Sequence, residues 1–587
     1  MSANVGTFDN GGTADNAGTR AAENKHPKGL YVLFGTELWE RFSFYSMLAL
    51  FTLYLRDPTE GFGWTATQAT SLYANYLMFV YASPLIGGLI ADKITGYRKA
   101  VMIGGFFFMA GHGLLSIPAL WAVYAALTCL VIGNGFFKPN VSTMVGNLYP
   151  EGSHLKDRAY NIFYMGINVG ALLAPIVMEI VKSYFGFHAA FAVAAFGMVI
   201  SVAILWYFKN AVEGTEKNPL RSPEQAADTA ATAVDAPPHG ISDQDEGGHQ
   251  AANAARQDQM NAVPDSKRIM ALIVIFAIVI VFWMVFHQNG STLTYWADDN
   301  TAWNVSGTIS NAINPFWIIV LTFPLVWFWG FLDKRGREPS TPTKMAIGMM
   351  LTGLSFFVLY GAAKLGENQP VTPQQYASGS FRINERIAGN LRADGVPEDV
   401  LQKLLTTREP LPETAPSETG LWNSIVGWFA GKPEGKYIIN DVKFSAKEDE
   451  TTKVKISGEQ NYIDTINQVA PGAGTQYRDK FLQRSYLFQV SAFWLLLAYA
   501  IISLGELMLS PMGLSLVSKV APIRMRGLLM GGWFVATAIG NKLTMIGIYW
   551  SIWYQSSFFI ILGAMAVFMS IVLFFLLKPL KRAMPGV

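Results

Sequence analysis

Glu37, Glu40 and Arg41 stand at i, i+3 and i+4 in the stretch ELWERFSFY, so a helix places all three on one face. Tyr45 carries that face one turn further. Two carboxylates sharing one guanidinium make one of them a candidate proton carrier. Arg41 can pair fully with only one carboxylate at a time, which leaves the other to exchange a proton, and the three titrate as a coupled group. The surrounding run, 30–55, is apolar and long enough to span a bilayer. Each charge at the middle of such a helix costs about 2.5–3.5 kcal/mol, so three cost roughly 8–10. About a dozen Leu, Val and Phe return only about 4–7 kcal/mol. The charges outweigh the apolar residues if the face meets lipid. The face must therefore look into a protein interior or a watery cavity, where charged groups inside a membrane mark function.

The elements that would hold this set recur along the chain. The protein has 587 residues, 51% hydrophobic and 15% charged, which is too apolar for an ordinary soluble protein. A net charge of +2 gives no sign of nucleic-acid binding. Cys129 is the single cysteine, so there is neither a disulfide framework nor a thiolate metal site, and it reads as a small buried hydrophobe. Apolar runs of spanning length lie near 30–55, 67–90, 99–118, 120–142, 160–181, 187–208, 269–290, 308–331, 344–364, 486–509, 527–550 and 556–578. With twelve spans, the basic residues Lys93, Arg98, Lys99, Lys156, Arg158, Lys334, Arg335, Arg337, Lys519, Arg524, Arg526, Lys578, Lys581 and Arg582 all fall on one side, the cytoplasm. Both termini then lie in the cytoplasm.

The predicted fold class is an all-α membrane protein of two six-helix bundles. Residues 1–29 read as a disordered tail rather than a signal peptide. Residues 30–208 form the first bundle. Residues 209–267, rich in Ala, Asp, Gln, Pro and Gly, are a cytoplasmic linker. Residues 268–364 and 486–580 make the second bundle, and 581–587 a cytoplasmic end. Residues 365–485 interrupt the second bundle on the outer side as a small α+β module, with two short helices about Gly395 and strand-like alternation in YIINDVKFS and TKVKIS. The module has no His and no Cys, so no metal cluster is expected in it, and its mixed acids and bases read as a solvated surface, so the rest of the chain is expected to work without it.

Few other charges fall inside the spans. Lys138 sits beside Pro139 and Asn140 in GNGFFKPNVSTMVGNLYP, a polar and bent stretch. Glu506 sits in SLGELMLSPMGLS. Lys542, nearer a span end, reads as reaching the interface, and Glu179 as reaching water. His112 and His188 read as structural. Six spans plus six is the plan of transporters made of two related halves with the substrate at mid-membrane. The loop GGLIADKITGYRK resembles the loop motif of the major facilitator superfamily. In it, Gly87 and Gly88 permit close helix approach, and Asp92 can pair with Arg98 or a helix end.

The chain as a whole resembles the proton-dependent oligopeptide transporters of that superfamily. ELWERFSFY is similar to the family's Glu-x-x-Glu-Arg-Phe-x-Tyr-Tyr motif, and GFFKPNVSTMVGNLY to its span-four signature. FYMGINVGALLAP, INPFWII, EPSTPTK and LGELMLSPMGLS with Gly531, Gly532 and Trp533 also fit. Phe44 replaces the first motif tyrosine, Leu48 stands where many bacterial members carry an arginine, and His287 where an acid often pairs with the span-four lysine.

The resemblance implies a symporter in the bacterial inner membrane that imports di- and tripeptides by alternating access. It would be driven by a proton gradient without any cofactor, would not be an enzyme, and would work as a monomer. A dipeptide is a zwitterion whose ends lie about 6–7 Å apart. Lys138 would take its carboxylate and Glu506 its ammonium. Asn168 and Asn314 would hold its backbone, while Tyr45, Tyr81 and Trp533 would line its side-chain pockets. His287 would be a pH-sensitive partner of the Lys138 region, and Glu37, Glu40 and Arg41 would couple the proton. The alternatives are a symporter of the same fold for another small solute, and a membrane sensor or scaffold that binds a partner through its outer module. A hydrolase is weaker still, since no Ser/His/Asp set or metal-ligand pattern is visible.

Overall fold

The computed structural model describes residues 26–149, 155–215, 262–409, 437–448, 455–522 and 525–585. Residues 1–25 of the expected tail and 216–261 of the expected linker lie outside the described residues, while 28–29 and 265–267 already belong to helices. Among the described residues, twelve long helical segments succeed one another, and we label them in chain order. They are α1 (Lys28–Arg56), α2 (Ala66–Ile90), α3 (Tyr97–Leu115), α4 (Leu120–Asn147), α5 and α6 (the two arms of Leu155–Tyr207), α7 (Asp265–Phe286), α8 (Ser310–Asp333), α9 (Thr341–Glu367), α10 (Ala492–Val520), α11 (Arg526–Leu543) and α12 (Gln555–Ala583). Gly186, at φ 82°, breaks the run between α5 and α6, a backbone state that glycine takes without cost. Two of these segments continue as short helical extensions, 287–299 after α7 and 544–551 after α11.

Eight stretches among the described residues are long and apolar enough to cross a membrane by length and composition, one of them holding both α5 and α6. α1, α3 and α11 fall outside that measure. The reason in α1 is the charged face, which sits on a helix buried along most of its length and therefore asks little of lipid.

The segments pack as two halves. α1 lies along α5 and α6, and α3 along α4; in the second half α9 packs against both α10 and α12. The halves meet where α2 touches α11 and where α5 touches α8.

Proline chemistry sets the α2–α4 contact. Pro84 in α2 removes the amide that would bond the Val80 carbonyl, and Asn134 of α4 donates to that carbonyl at 2.7 Å. Pro139 in α4 likewise frees the Gly135 carbonyl, and Gly87 seats directly on it: a Cβ there would lie 1.9 Å from that oxygen. Gly88 has no such neighbour, its nearest being Pro139 at 3.7 Å. We therefore expect Gly87→Ala to force the helices apart at a cost of about 1–3 kcal/mol, and Gly88→Ala to melt like the wild type. Thermal melting of the two purified variants checks the contrast, and equal melting midpoints would show that the close approach has no energetic weight.

Between α9 and α10 stands the insert, with its own core of Phe381, Ile387, Leu391, Leu404, Tyr462 and Phe481 among others. Gly395, at φ 84°, divides the helices Glu385–Ala393 and Glu398–Thr406, as the sequence suggests. Among the described residues the strand content is smaller than the alternation implies. Lys443–Phe444 pairs with Phe381–Arg382, and Lys447–Glu448 with Lys455–Ile456, each for two residues. One cause is Asp441, which interrupts YIINDVKFS at φ 59°.

Other expectations need correcting. Glu179 does not reach water: it is buried, and its carboxylate accepts from Lys182 at 2.8 Å and from the Ser306 hydroxyl at 2.5 Å. Burial is affordable there because Lys182 balances the charge. Lys542 does not reach for an interface but donates to Asn75 of α2, across the halves. Cys129 is only partly buried, because its helix face is not fully covered.

Candidate functional site

A cavity lies between the halves, bounded by α1, α2, α4 and α5 on one side and α7, α8, α10 and α11 on the other. It offers about 120 Å³ to the centres of water-sized spheres. One water needs about 10–15 Å³ of such space, so the cavity has room for several waters or a small solute. Arg41, Tyr45, Tyr81, Lys138, Asn168, His287, Asn314, Glu506 and Trp533 all line it. Glu37 and Glu40 stand behind Arg41.

The first half supplies the cationic wall. Arg41 binds Glu40 with two nitrogens, Nε and Nη2, the second at 2.7 Å. Its Nε also lies 3.2 Å from Glu37. All three side chains are buried, and the second oxygen of Glu37 has no hydrogen-bond partner. The guanidinium also stands 4.8 Å from the centre of the Phe44 ring, so the residue in place of the motif tyrosine keeps an aromatic face on Arg41. Lys138 lies one residue before Pro139, and its Nζ is 5.0 Å from the centre of the Tyr81 ring. Asn140 satisfies the Phe136 carbonyl at 2.7 Å and Thr143 that of Pro139 at 2.9 Å, which ties the polar bend beside Lys138 together.

The second half supplies the anion. Asn314, next to Pro315 in α8, donates to Glu506 at 2.9 Å and to Ser503 at 2.9 Å. This hydrogen bond orients the Glu506 carboxylate at the cavity wall. His287 stacks on Trp283 with ring centres 4.9 Å apart, and Tyr81 stands 5.6 Å from it, so one tyrosine adjoins both His287 and Lys138. Asn168 donates to the Tyr164 carbonyl at 3.0 Å and Trp533 is almost wholly buried.

Six polar lining residues escaped the sequence reading: Tyr73, Tyr164, Asn289, Asn311, Ser510 and Thr537. Five of them had a signal. Tyr164 precedes Asn168, Ser510 follows Glu506 and Thr537 follows Trp533 by four residues; Asn311 precedes Asn314 by three, and Tyr73 precedes Tyr81 by eight. Each therefore shares a helix face with a residue already singled out. Asn289 lies in the short helical turn after α7, where that periodicity fails. Among the described residues, no group of His, Cys, Asp and Glu could hold a metal ion.

Comparison with known proteins matches residues 98–375 and 467–559 to a sequence model of the POT family. The "Di-/tripeptide transporter" of Lactococcus lactis subsp. lactis (strain IL1403) is 26% identical, covering 96% of this chain and 97% of that relative. "Uncharacterized transporter YclF" of Bacillus subtilis (strain 168) is 30% identical over 59% of this chain and 76% of its own length. The crystal structure of peptide transporter POT in complex with sulfate is similar with a TM-score of 0.65 at 25% identity, covering 96% of each chain. A mutant of peptide transporter POT in complex with alafosfalin gives a TM-score of 0.64 at 25% identity, again covering 96% of each chain.

Proposed function

Because this chain belongs to the POT family, whose members are secondary transporters rather than enzymes, we propose that it is a proton-coupled symporter that imports di- and tripeptides by alternating access. The observation that carries this reading is the cavity itself, with Lys138 in the wall of one half and an oriented Glu506 in the wall of the other. A zwitterionic peptide bridging them draws the halves together, so its binding favours a closed state. Asn168 and Asn314 offer amides to the peptide backbone. Tyr45, Tyr81 and Trp533 offer area and shape rather than specific partners, which suits varied side chains. Arg41 carries the coupling. Its fork is given to Glu40, while Glu37 keeps an unpartnered oxygen, so Glu37 is the carboxylate that exchanges the proton.

The same reading makes the twelve segments twelve spans of a bacterial inner membrane, with both termini cytoplasmic and the insert outside. The basic residues at 93–99, 334–337 and 578–582 lie at the helix ends away from the insert, which supports that orientation. The test is uptake of labelled di-alanine into proteoliposomes. Accumulation above equilibrium is expected with an inward proton gradient and only equilibration without one. No uptake in either condition by folded, inserted protein removes the reading.

A further inference from the structure

The hydrogen bonds that link the halves gather on the insert side. Ser306 accepts from Lys182 and donates to Glu179, Thr52 donates to the Gly290 carbonyl at 3.1 Å, and Thr67 to that of Ile548 at 3.2 Å. The insert sits over this closed end and touches both halves with charged side chains. Its hold on the second half is broad. Arg382 bonds Asp299 at 2.5 Å, Lys443 reaches the Asp298 carboxylate at 3.5 Å, and Arg386 donates to Gln555 at 2.7 Å.

Among the described residues, Asp441 gives the insert a polar hold on the first half. One carboxylate oxygen accepts the amide of Ala66 at 2.5 Å, and the same oxygen lies 3.9 Å from Arg56 at the end of α1. Ala66 opens α2, so its amide has no partner within the helix and the helix dipole favours an anion there. Arg56 is itself buried over the Tyr295 ring of the second half, 4.0 Å from its centre. Asp441 is also the only non-glycine residue with positive φ among the described residues. A strained backbone at a contact between moving bodies is a feature that persists only where the surroundings hold it.

We propose that the insert is a latch, and Asp441 its catch: a gating residue that holds the two halves together on the insert side and so biases the transporter against opening there. The inference rests on the alternating-access reading. Opening that side swings α1 and α2 away from α7 and α8. Since the insert rides with the second half, the Asp441 contacts to Ala66 and Arg56 must break each time. The module that the sequence marks as dispensable then sets how often the closed end opens.

The test is a distance measurement by double electron–electron resonance on full-length protein. Spin labels go on Tyr184→Cys in the first half and Ile552→Cys in the second, both exposed, in a Cys129→Ser background. Asp441→Gly removes both latch contacts and suits the positive φ, and Asp441→Asn also tolerates that backbone while losing the charge. A rise of about tenfold or more in the long-distance population is expected for Asp441→Gly. A shift of equal size in Asp441→Asn assigns the latch to the ion pair with Arg56, and a smaller one assigns it to the Ala66 hydrogen bond. Arg392→Ala, which breaks an exposed pair with Glu398 inside the insert, should leave the distances unchanged. Distances in Asp441→Gly that superimpose on the wild type overturn the latch, as does an equal shift in Arg392→Ala. Because the readout is a distance, a shift without di-alanine uptake by the wild type would sink the assigned cargo and leave the latch standing.

Discussion

Glu37→Gln is expected to abolish uphill peptide uptake while sparing peptide exchange. The substitution keeps the shape of the side chain and much of its hydrogen bonding but removes the exchangeable proton. The peptide contacts proposed at Lys138 and Glu506 are on α4 and α10, so recognition has no reason to fail with it. Exchange of peptide for peptide at equal concentrations moves no net proton and should persist near wild-type rate. Glu40→Gln should damage both modes, since it removes the carboxylate that holds two nitrogens of Arg41. Arg41→Lys should be poorly tolerated too, because a lysine lacks the planar fork that holds Glu40 while reaching Glu37. A purely bracing role for the charged face predicts instead that uptake, exchange and thermal stability fall together. Both transport modes and a melting curve, measured on one reconstituted preparation, separate these outcomes. Uphill uptake at the wild-type level in Glu37→Gln would take that carboxylate out of the proton path.

The two ends of the peptide should be separable at the opposite walls of the cavity. Lys138→Ala is expected to reduce coupled uptake to background, since the cavity then loses the cation proposed for the peptide carboxylate. Glu506→Ala should weaken binding of free-amine peptides, and it also strips Asn314 of one of its two acceptors. Losing a buried, hydrogen-bonded charge costs about 2–5 kcal/mol, or roughly 30-fold or more in affinity. Acetylating the peptide amine should cost the wild type a similar factor and Glu506→Ala little further. Competition binding with di-alanine and its acetylated form, run on both proteins, makes the comparison. Equal losses in the two proteins would show that Glu506 does not meet the amine.

Much of this protein was determined by its sequence alone. Apolar length is a local property, so the long helices could be read from residue runs, and the break between α5 and α6 falls where two runs abut. The charged face of α1 was equally legible, because residues three and four apart share a helix face wherever the helix is placed. Gly87 could be recognised as a point of close approach.

What the sequence could not decide is which residue meets which across the fold. Arg41 is spaced to reach both Glu37 and Glu40, and only packing decided that Glu40 takes the fork. Asn314 meets Glu506, Asn75 meets Lys542 and Asp441 meets Ala66, each pair separated by more than 190 residues. No periodicity encodes such pairs, since they depend on how two helices cross and how the halves close. The misreading of Lys542 has that same source, and so has that of Glu179, whose Ser306 partner comes from the other half although Lys182 is on its own helix. A charge near a span end looks as if it is bound for water until the tertiary structure brings a partner from the other half, and the low dielectric between the halves makes that partner worth more than the solvent it replaces.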